Sequence, residues 1–262
     1  ADRPCPNLGA TLETRIQLCG HLVVRLDGER VEQRLPGRQG RVLFAFLVLN
    51  RERPLSRDEL VDAVWPDGGP AAKGAALSAL LSQLRGALGP DRLEGRTRVA
   101  MRLPADARVD VDAAREALHR AEAAVARRDW TGAWGPARVA QHVTARPFLA
   151  GEDSDWVAAE RRSIGELHAR ALELAALASL RIGGAELSTA ERAARRLVSL
   201  SPYRESGHRL LMETLAHGGN TAEALLVYDE LRTRLRDELA AAPAAETREL
   251  HRALLERAGD YV

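Results

Sequence analysis

Between Arg38 and Leu103 the chain carries an ordered set of signals that leaves few architectures open. The run Arg-Val-Leu-Phe-Ala-Phe-Leu-Val-Leu from Arg41 to Leu49 places apolar side chains at helical spacing, so it predicts a helix with one broad buried face. Pro54-Leu55 breaks it. Ser56-Arg57-Asp58-Glu59 then has the form of a capping box, a hydroxyl and a carboxylate each satisfying a backbone N–H at a helix start, and opens a short helix through Trp65. Pro66-Asp67-Gly68-Gly69-Pro70 reorients the chain into a third helix, 71–88, closed by Gly89-Pro90. Residues 92–103 read as two short strands about Gly95. Three helices followed by a hairpin is the element order of a winged helix, in which the third helix enters the DNA major groove.

The flanks extend that pattern. Residues 1–12, with Pro4 and Pro6, read as a loose leader. Residues 14–18 and 21–26 alternate polar and apolar, and Asp27-Gly28 makes a tight turn into a strand over 29–35. A first domain over 13–105 ends near Pro104-Ala105-Asp106, and 106–262 reads as entirely helical, with helices over 112–128, 131–143, 154–182, 188–200, 204–217, 221–239 and 244–258. Gly183-Gly184, Ser201-Pro202, Gly218-Gly219-Asn220 and Ala242-Pro243 punctuate it, and Ser188-x-x-Glu191 and Asn220-x-x-Glu223 repeat the capping signature. Ala190 and Ala224 lie 34 residues apart at equivalent places near the start of a second helix, the tetratricopeptide period. Such helical pairs stack into a small superhelix whose concave face binds partners. The expected fold is therefore mainly α with a small β component, a winged helix followed by an all-α tetratricopeptide-like domain.

Charge divides along the chain as the elements do. The net charge is +1, yet residues 1–105 hold 16 basic against 12 acidic side chains and the remainder 22 against 25. A basic head on an acidic body suits a DNA reader joined to a partner-binding domain. Cys5 and Cys19 lack metal-site spacing, and a disulfide between them has no sequence support, so that reduced thiols are the default. No apolar run approaches the ~18 residues of a membrane span, and a soluble cytoplasmic protein without membrane association is expected.

Catalytic motifs fail residue by residue. Gly69-Pro70-Ala71-Ala72-Lys73-Gly74 is followed by Ala75-Ala76 where a phosphate-gripping loop needs Lys and Ser or Thr. The seven histidines are isolated, no metal-ligand spacing occurs, and no nucleophile elbow exists. Asp153-Ser154-Asp155 reads as carboxylates around a helix start, and Trp130, Trp134 and Trp156 as core of the helical domain. Neither an enzyme nor a bound cofactor or metal is expected.

DNA binding needs cations on phosphates and side chains on base edges. The phosphate candidates are Arg38, Arg41, Arg53, Arg57, Arg85, Arg96 and Arg98, which flank or follow the three-helix unit. With Ala76, Leu77, Leu80, Leu81, Leu84 and Leu88 turned to the core, the third helix leaves Lys73, Gly74, Ala75, Ser78, Ala79, Ser82 and Gln83 outward. Sequence discrimination is expected chiefly from Lys73 and Ser78, with Gly74 and Ala75 permitting close approach and Gln83 and Arg85 touching backbone.

These residues also resemble a known family. Arg38-Gln39-Gly40-Arg41 before an apolar helix, Arg57-Asp58-Glu59-Leu60-Val61-Asp62-Ala63-Val64-Trp65, and Leu77-Ser78-Ala79-Leu80-Leu81-Ser82-Gln83-Leu84-Arg85 are similar to the DNA-binding head of the actinobacterial antibiotic regulatory proteins, the SARP family. Arg204 through Leu254, including His208-Arg209-Leu210-Leu211-Met212-Glu213-Thr214-Leu215 and Gly219-Asn220-Thr221-Ala222-Glu223-Ala224, resembles their bacterial transcriptional activation domain. The resemblance runs from about Thr14 onward. It implies a winged helix of the response-regulator type, an activator that binds promoter direct repeats in double-stranded DNA as a homodimer, and contact with the RNA polymerase holoenzyme. The chain departs from its relatives on the third helix, where Gly74, Ala75, Ser78 and Ala79 replace larger polar groups, and at the wing tip, Glu94-Gly95-Arg96-Thr97-Arg98. The alternative is a protein-interaction or ligand-sensing module whose winged helix no longer reads specific DNA.

Overall fold

The computed structural model describes residues 13–66, 68 and 70–259, so the leader expected over 1–12 lies outside the described residues. The chain forms two compact units. Of the described residues, one comprises those from 13 to 113 together with Arg146–Ile164, and the other Ala114–Ala145 together with those from 165 to 259.

The first unit opens with three antiparallel strands, β1 (Arg15–Gln17), β2 (Val23–Leu26) and β3 (Glu29–Arg30). Ile16, Val24 and Leu26 are buried while Arg15 and Arg25 are exposed, the period-2 alternation of a one-sided sheet. Asp27 and Gly28 take φ of 49° and 85°, which gives the hairpin the twist of its strands. The strand expected over 29–35 stops at Arg30. Glu32–Arg34 wind into a 3-10 turn, from which the Glu32 carboxylate accepts the Val24 N–H at 3.2 Å.

Helix α1 (Gly37–Leu49) buries Val42, Leu43, Phe44, Ala45, Leu47 and Val48, the all-round apolarity of a central helix. Next come β4 (Leu55–Ser56), α2 (Arg57–Val64), α3 (Lys73–Leu88) and the wing strands β5 (Leu93–Glu94) and β6 (Arg98–Met101). β6 is central in a three-stranded antiparallel sheet, with Leu55 opposite Val99 and Leu93 opposite Met101. The capping box forms: Ser56 N–H donates to Glu59 Oε2 at 2.8 Å and Glu59 N–H to Ser56 Oγ at 3.3 Å.

Two features of this unit were not anticipated. β7 (Arg108–Val109) adds to β1 in parallel as a fourth strand just ahead of the helix expected from 112, which starts at Asp110. The Asp110 carboxylate holds that junction by accepting the N–H groups of Leu18 and Cys19, each at 2.9 Å. Residues 146–164 also join this unit, with Phe148, Leu149 and Val157 buried. Trp156 therefore belongs to this core and not to the helical domain. Its ring meets Phe46 and Phe148 edge-on at 5.2 and 6.0 Å, and its indole N–H finds an acceptor in Ala63 O at 2.9 Å, at the open end of α2.

The second unit is helical: most of α4 (Asp110–Ala126), α5 (Trp130–Thr144), the later part of α6 (Asp155–Ile182), α7 (Leu187–Leu200), α8 (Glu205–His217), α9 (Thr221–Leu239) and α10 (Ala245–Gly259). Each lies within two residues of its sequence-based bounds. Ala117, Ala121, Ala137, Ala140, Ala171 and Ala175 build one small-residue core among α4, α5 and α6. Ala190 and Ala224 are fully buried in a second core with Leu197, Leu211, Met212 and Tyr228. Gly207 lets α8 approach α7, since a Cβ there would stand 3.0 Å from Leu197 Cγ. α7, α8, α9 and α10 pack each on the next, the nearest-neighbour arrangement of a tetratricopeptide-like array.

The two further capping signatures are not realised. A 3-10 turn, Gly184–Glu186, runs straight into α7, so the cap position falls on Glu186 and Ser188 lies inside the helix. Asn220 is the cap residue of α9, but its side chain makes no capping bond.

Candidate nucleic-acid interface

On α3 the buried residues are Leu77, Leu80, Leu81, Leu84, Ala87 and Leu88, and the helix anchors the unit along that stripe. Gly74, Ala75, Ser78, Ala79, Ser82 and Gln83 are exposed, and Lys73 is half-buried in the first turn. The Lys73 ammonium has no partner among the described residues, which leaves it a positive charge at the helix start. Ser78 differs. Its hydroxyl donates to Gly74 O at 2.8 Å and accepts from Arg57 Nη2 at 2.7 Å, so its one proton is committed inside the helix.

The basic candidates fall into distinct settings. Arg57, the first residue of α2, reaches across to α3 and the wing: Nη2 donates to Gly74 O at 2.9 Å as well as to Ser78, and Nη1 to Arg96 O at 3.3 Å. Arg85 does the equivalent from further along α3, with Nε on Leu93 O at 3.3 Å and Nη2 on Gly95 O at 2.6 Å. Arg98 donates to Pro54 O at 3.2 Å. Arg96, Thr97 and Arg98 are exposed on the wing. Gly95 makes the tip possible, at φ 86° with a Cβ position only 1.9 Å from Arg98 O.

Arg53 pairs with Glu59 at 2.7 Å. This guanidinium, with the Ser56 N–H and hydroxyl, holds the Glu59 carboxyl down at about 2, so the capping box stays ionised across the physiological range. Arg38 and Arg41, at the start of α1, converge on one carboxylate: Glu152 accepts Arg38 Nε at 2.9 Å and Arg41 Nη2 at 2.6 Å. Glu152 is only 3% exposed, whereas both arginine side chains retain substantial exposure. Sequence reasoning missed it, because 114 and 111 residues separate the partners and a lone Glu in a loop carries no signal.

Among the described residues, no cluster of three His, Cys, Asp or Glu side chains is placed to hold a metal, and no helix is long and apolar enough to cross a membrane. The surface that remains pairs an exposed helix face of small side chains with a cationic wing. Its physical capacity is backbone approach plus phosphate attraction, with base-edge hydrogen bonding available from Lys73, Ser82 and Gln83.

Comparison with known proteins adds an independent line. The model of the bacterial transcriptional activator domain matches residues 109–255. The regulatory protein AfsR of Streptomyces coelicolor is 32% identical over 231 residues, covering 88% of this chain and 23% of that protein. The transcriptional regulatory protein EmbR of Mycobacterium tuberculosis is 28% identical over 271 residues, covering 94% and 65%. A solved structure of Mycobacterium tuberculosis EmbR in complex with a low-affinity phosphopeptide superposes with a TM-score of 0.78 at 23% sequence identity, over 94% of this chain and 65% of that one. That likeness speaks for the fold: a winged helix followed by a helical domain. The chain thus spans about a quarter of the AfsR length and under two thirds of EmbR.

Proposed function

Because the chain belongs to the SARP-type regulators that carry a bacterial transcriptional activator domain, we propose that it is a cytoplasmic, DNA-binding transcriptional activator without catalytic activity. The observation that carries this is the pairing, on one unit, of an exposed α3 face with the cationic wing residues Arg96 and Arg98. In this reading α3 enters the major groove of double-stranded DNA, Lys73 leads the base contacts with Ser82 beyond it, Gly74 lets the protein backbone come close, and Gln83 lies against the DNA backbone. Arg53, Arg96 and Arg98 supply phosphate contacts, and Arg38 and Arg41 use the guanidinium edge that Glu152 leaves exposed. The domain over 13–105 reads promoter direct repeats as one half of a homodimer, and the helical domain over 106–262 mediates pairing and meets the RNA polymerase holoenzyme.

A mobility-shift titration of the full chain on genomic fragments, repeated over a salt series, tests it. Binding that weakens steeply and log-linearly with salt is the expected result. Absence of binding at low salt would overturn it.

One observation favours a second reading, a docking module for protein or ligand. The committed Ser78 hydroxyl and the small residues around it leave few groups that can pair bidentately with a base. Equal affinity for every DNA sequence, with tight binding to a protein partner, would be its signature.

A further inference from the structure

We propose that Arg57 is a positioning residue, a clip that fixes the first turn of α3 to the wing tip so that both meet DNA as one preorganised surface. This deepens the DNA-binding reading above and assigns Arg57 a role other than phosphate contact.

The argument starts from donor accounting. A guanidinium carries five N–H donors in a rigid planar fork. Both hydrogens of Arg57 Nη2 are spent on α3, one on Gly74 O and one on Ser78 Oγ, and one hydrogen of Nη1 is spent on Arg96 O in the wing. These acceptors lie 17, 21 and 39 residues along the chain, so one side chain joins three elements. Its launch point is set locally, since Arg57 directly follows the Ser56 cap whose bonds to Glu59 aim the start of α2. The wing needs such support: β5 and β6 pair over very few residues, and β4, the third strand of their sheet, pairs with β6 alone and leaves β5 at the edge. Arg85 holds the near side of the same tip through Leu93 O and Gly95 O. The two arginines together satisfy consecutive tip carbonyls, those of Gly95 and Arg96, that would otherwise face water in a mobile loop. Ordering the wing in advance removes an entropy cost from binding and sharpens discrimination, because a loose wing adapts to any duplex.

A clip and a phosphate contact differ in what their loss does. Removing a phosphate contact flattens the salt dependence by about one counterion and lowers affinity evenly across sequences. Removing a clip leaves the number of neutralised phosphates unchanged, weakens binding, and compresses the ratio between preferred and random DNA.

The test combines amide hydrogen exchange of the free full-length chain with DNA titrations of wild type, Arg57→Lys, Arg57→Ala and Ser78→Ala. Arg57→Lys is the central variant, because it keeps the charge and most of the stem while one ammonium cannot span three acceptors. The clip predicts that Arg57→Lys and Arg57→Ala both speed exchange in the wing and in the first two turns of α3 by about tenfold, with the helical unit unaffected. Ser78→Ala, which removes one of three acceptors, gives a smaller rise at the same amides. On DNA, both Arg57 variants lose affinity with an unchanged salt slope and a reduced preference for the specific site. Unchanged wing exchange, with wild-type salt behaviour in Arg57→Lys and a slope flatter by about one in Arg57→Ala, would overturn the clip in favour of phosphate contact. A chain that binds no DNA would sink the functional reading alone, since the exchange data decide the clip without it.

Discussion

At the scale of single residues, the informative positions are those whose hydrogen-bonding capacity is either committed or left open. Ser78 and Gly74 sit one helical turn apart on the exposed face of α3 and illustrate both. Ser78, a base-reading candidate by sequence, has its proton on Gly74 O and one of its lone pairs on Arg57. Lys73 carries no such commitment among the described residues. Gly74 is open in another sense: a Cβ there would meet nothing within 4 Å. Gly74→Ala should therefore raise stability by up to about 1 kcal/mol through reduced backbone freedom. If α3 brings its backbone against DNA there, the same methyl should cut affinity several-fold. Thermal melts beside DNA titrations check both, and a variant that is stabilised yet binds DNA as wild type does would remove Gly74 from the interface.

At the scale of elements, local signals set where helices and turns fall, and packing sets how close they come. The wing depends on Gly95, whose φ of 86° and 1.9 Å approach to Arg98 O admit no side chain. Gly95→Ala should cost at least about 1–2 kcal/mol from the left-handed conformation alone. It should also disrupt the cross-strand pairing of Glu94 with Ala100, read by NMR. Intact pairing in the variant would show that the tip tolerates another turn. In the helical unit, Ala224 is fully buried where α9 meets its neighbours. Ala224→Leu should overpack that contact by roughly 1–3 kcal/mol, seen as a lower denaturation midpoint. Little change there would mean that α8 and α9 can separate without loss, against the repeat-like packing.

At the scale of the whole molecule, buried titratable groups tie stability to pH. His168 is 8% exposed and shares a 3.0 Å hydrogen bond with Thr144 Oγ1, and His208 is 1% exposed. Burial holds both below the ordinary histidine value of 6.5. The unfolded chain therefore takes up protons first as pH falls. The stability these histidines contribute is complete above 6.5 and drains away as pH drops from there through their lowered values. Denaturation midpoints should fall between pH 7.5 and 5.5, and fall less in a His168→Gln, His208→Gln double variant. An equal fall in both proteins would place the acid sensitivity elsewhere. The same division between local and long-range causes explains what could be read without coordinates. Helix periods, the Asp27-Gly28 and Gly95 turns, the Ser56–Glu59 capping box and the 34-residue spacing of two buried alanines depend on residues close in sequence or on a repeated pattern, so the amino-acid sequence determines them by itself. Trp156 joining the head, β7 completing a sheet, Glu152 gathering Arg38 and Arg41, and Arg57 and Arg85 holding the wing were decided only by the tertiary structure. A side chain with several possible partners acquires one when folding brings a distant acceptor within hydrogen-bond range, and local sequence does not encode that distance.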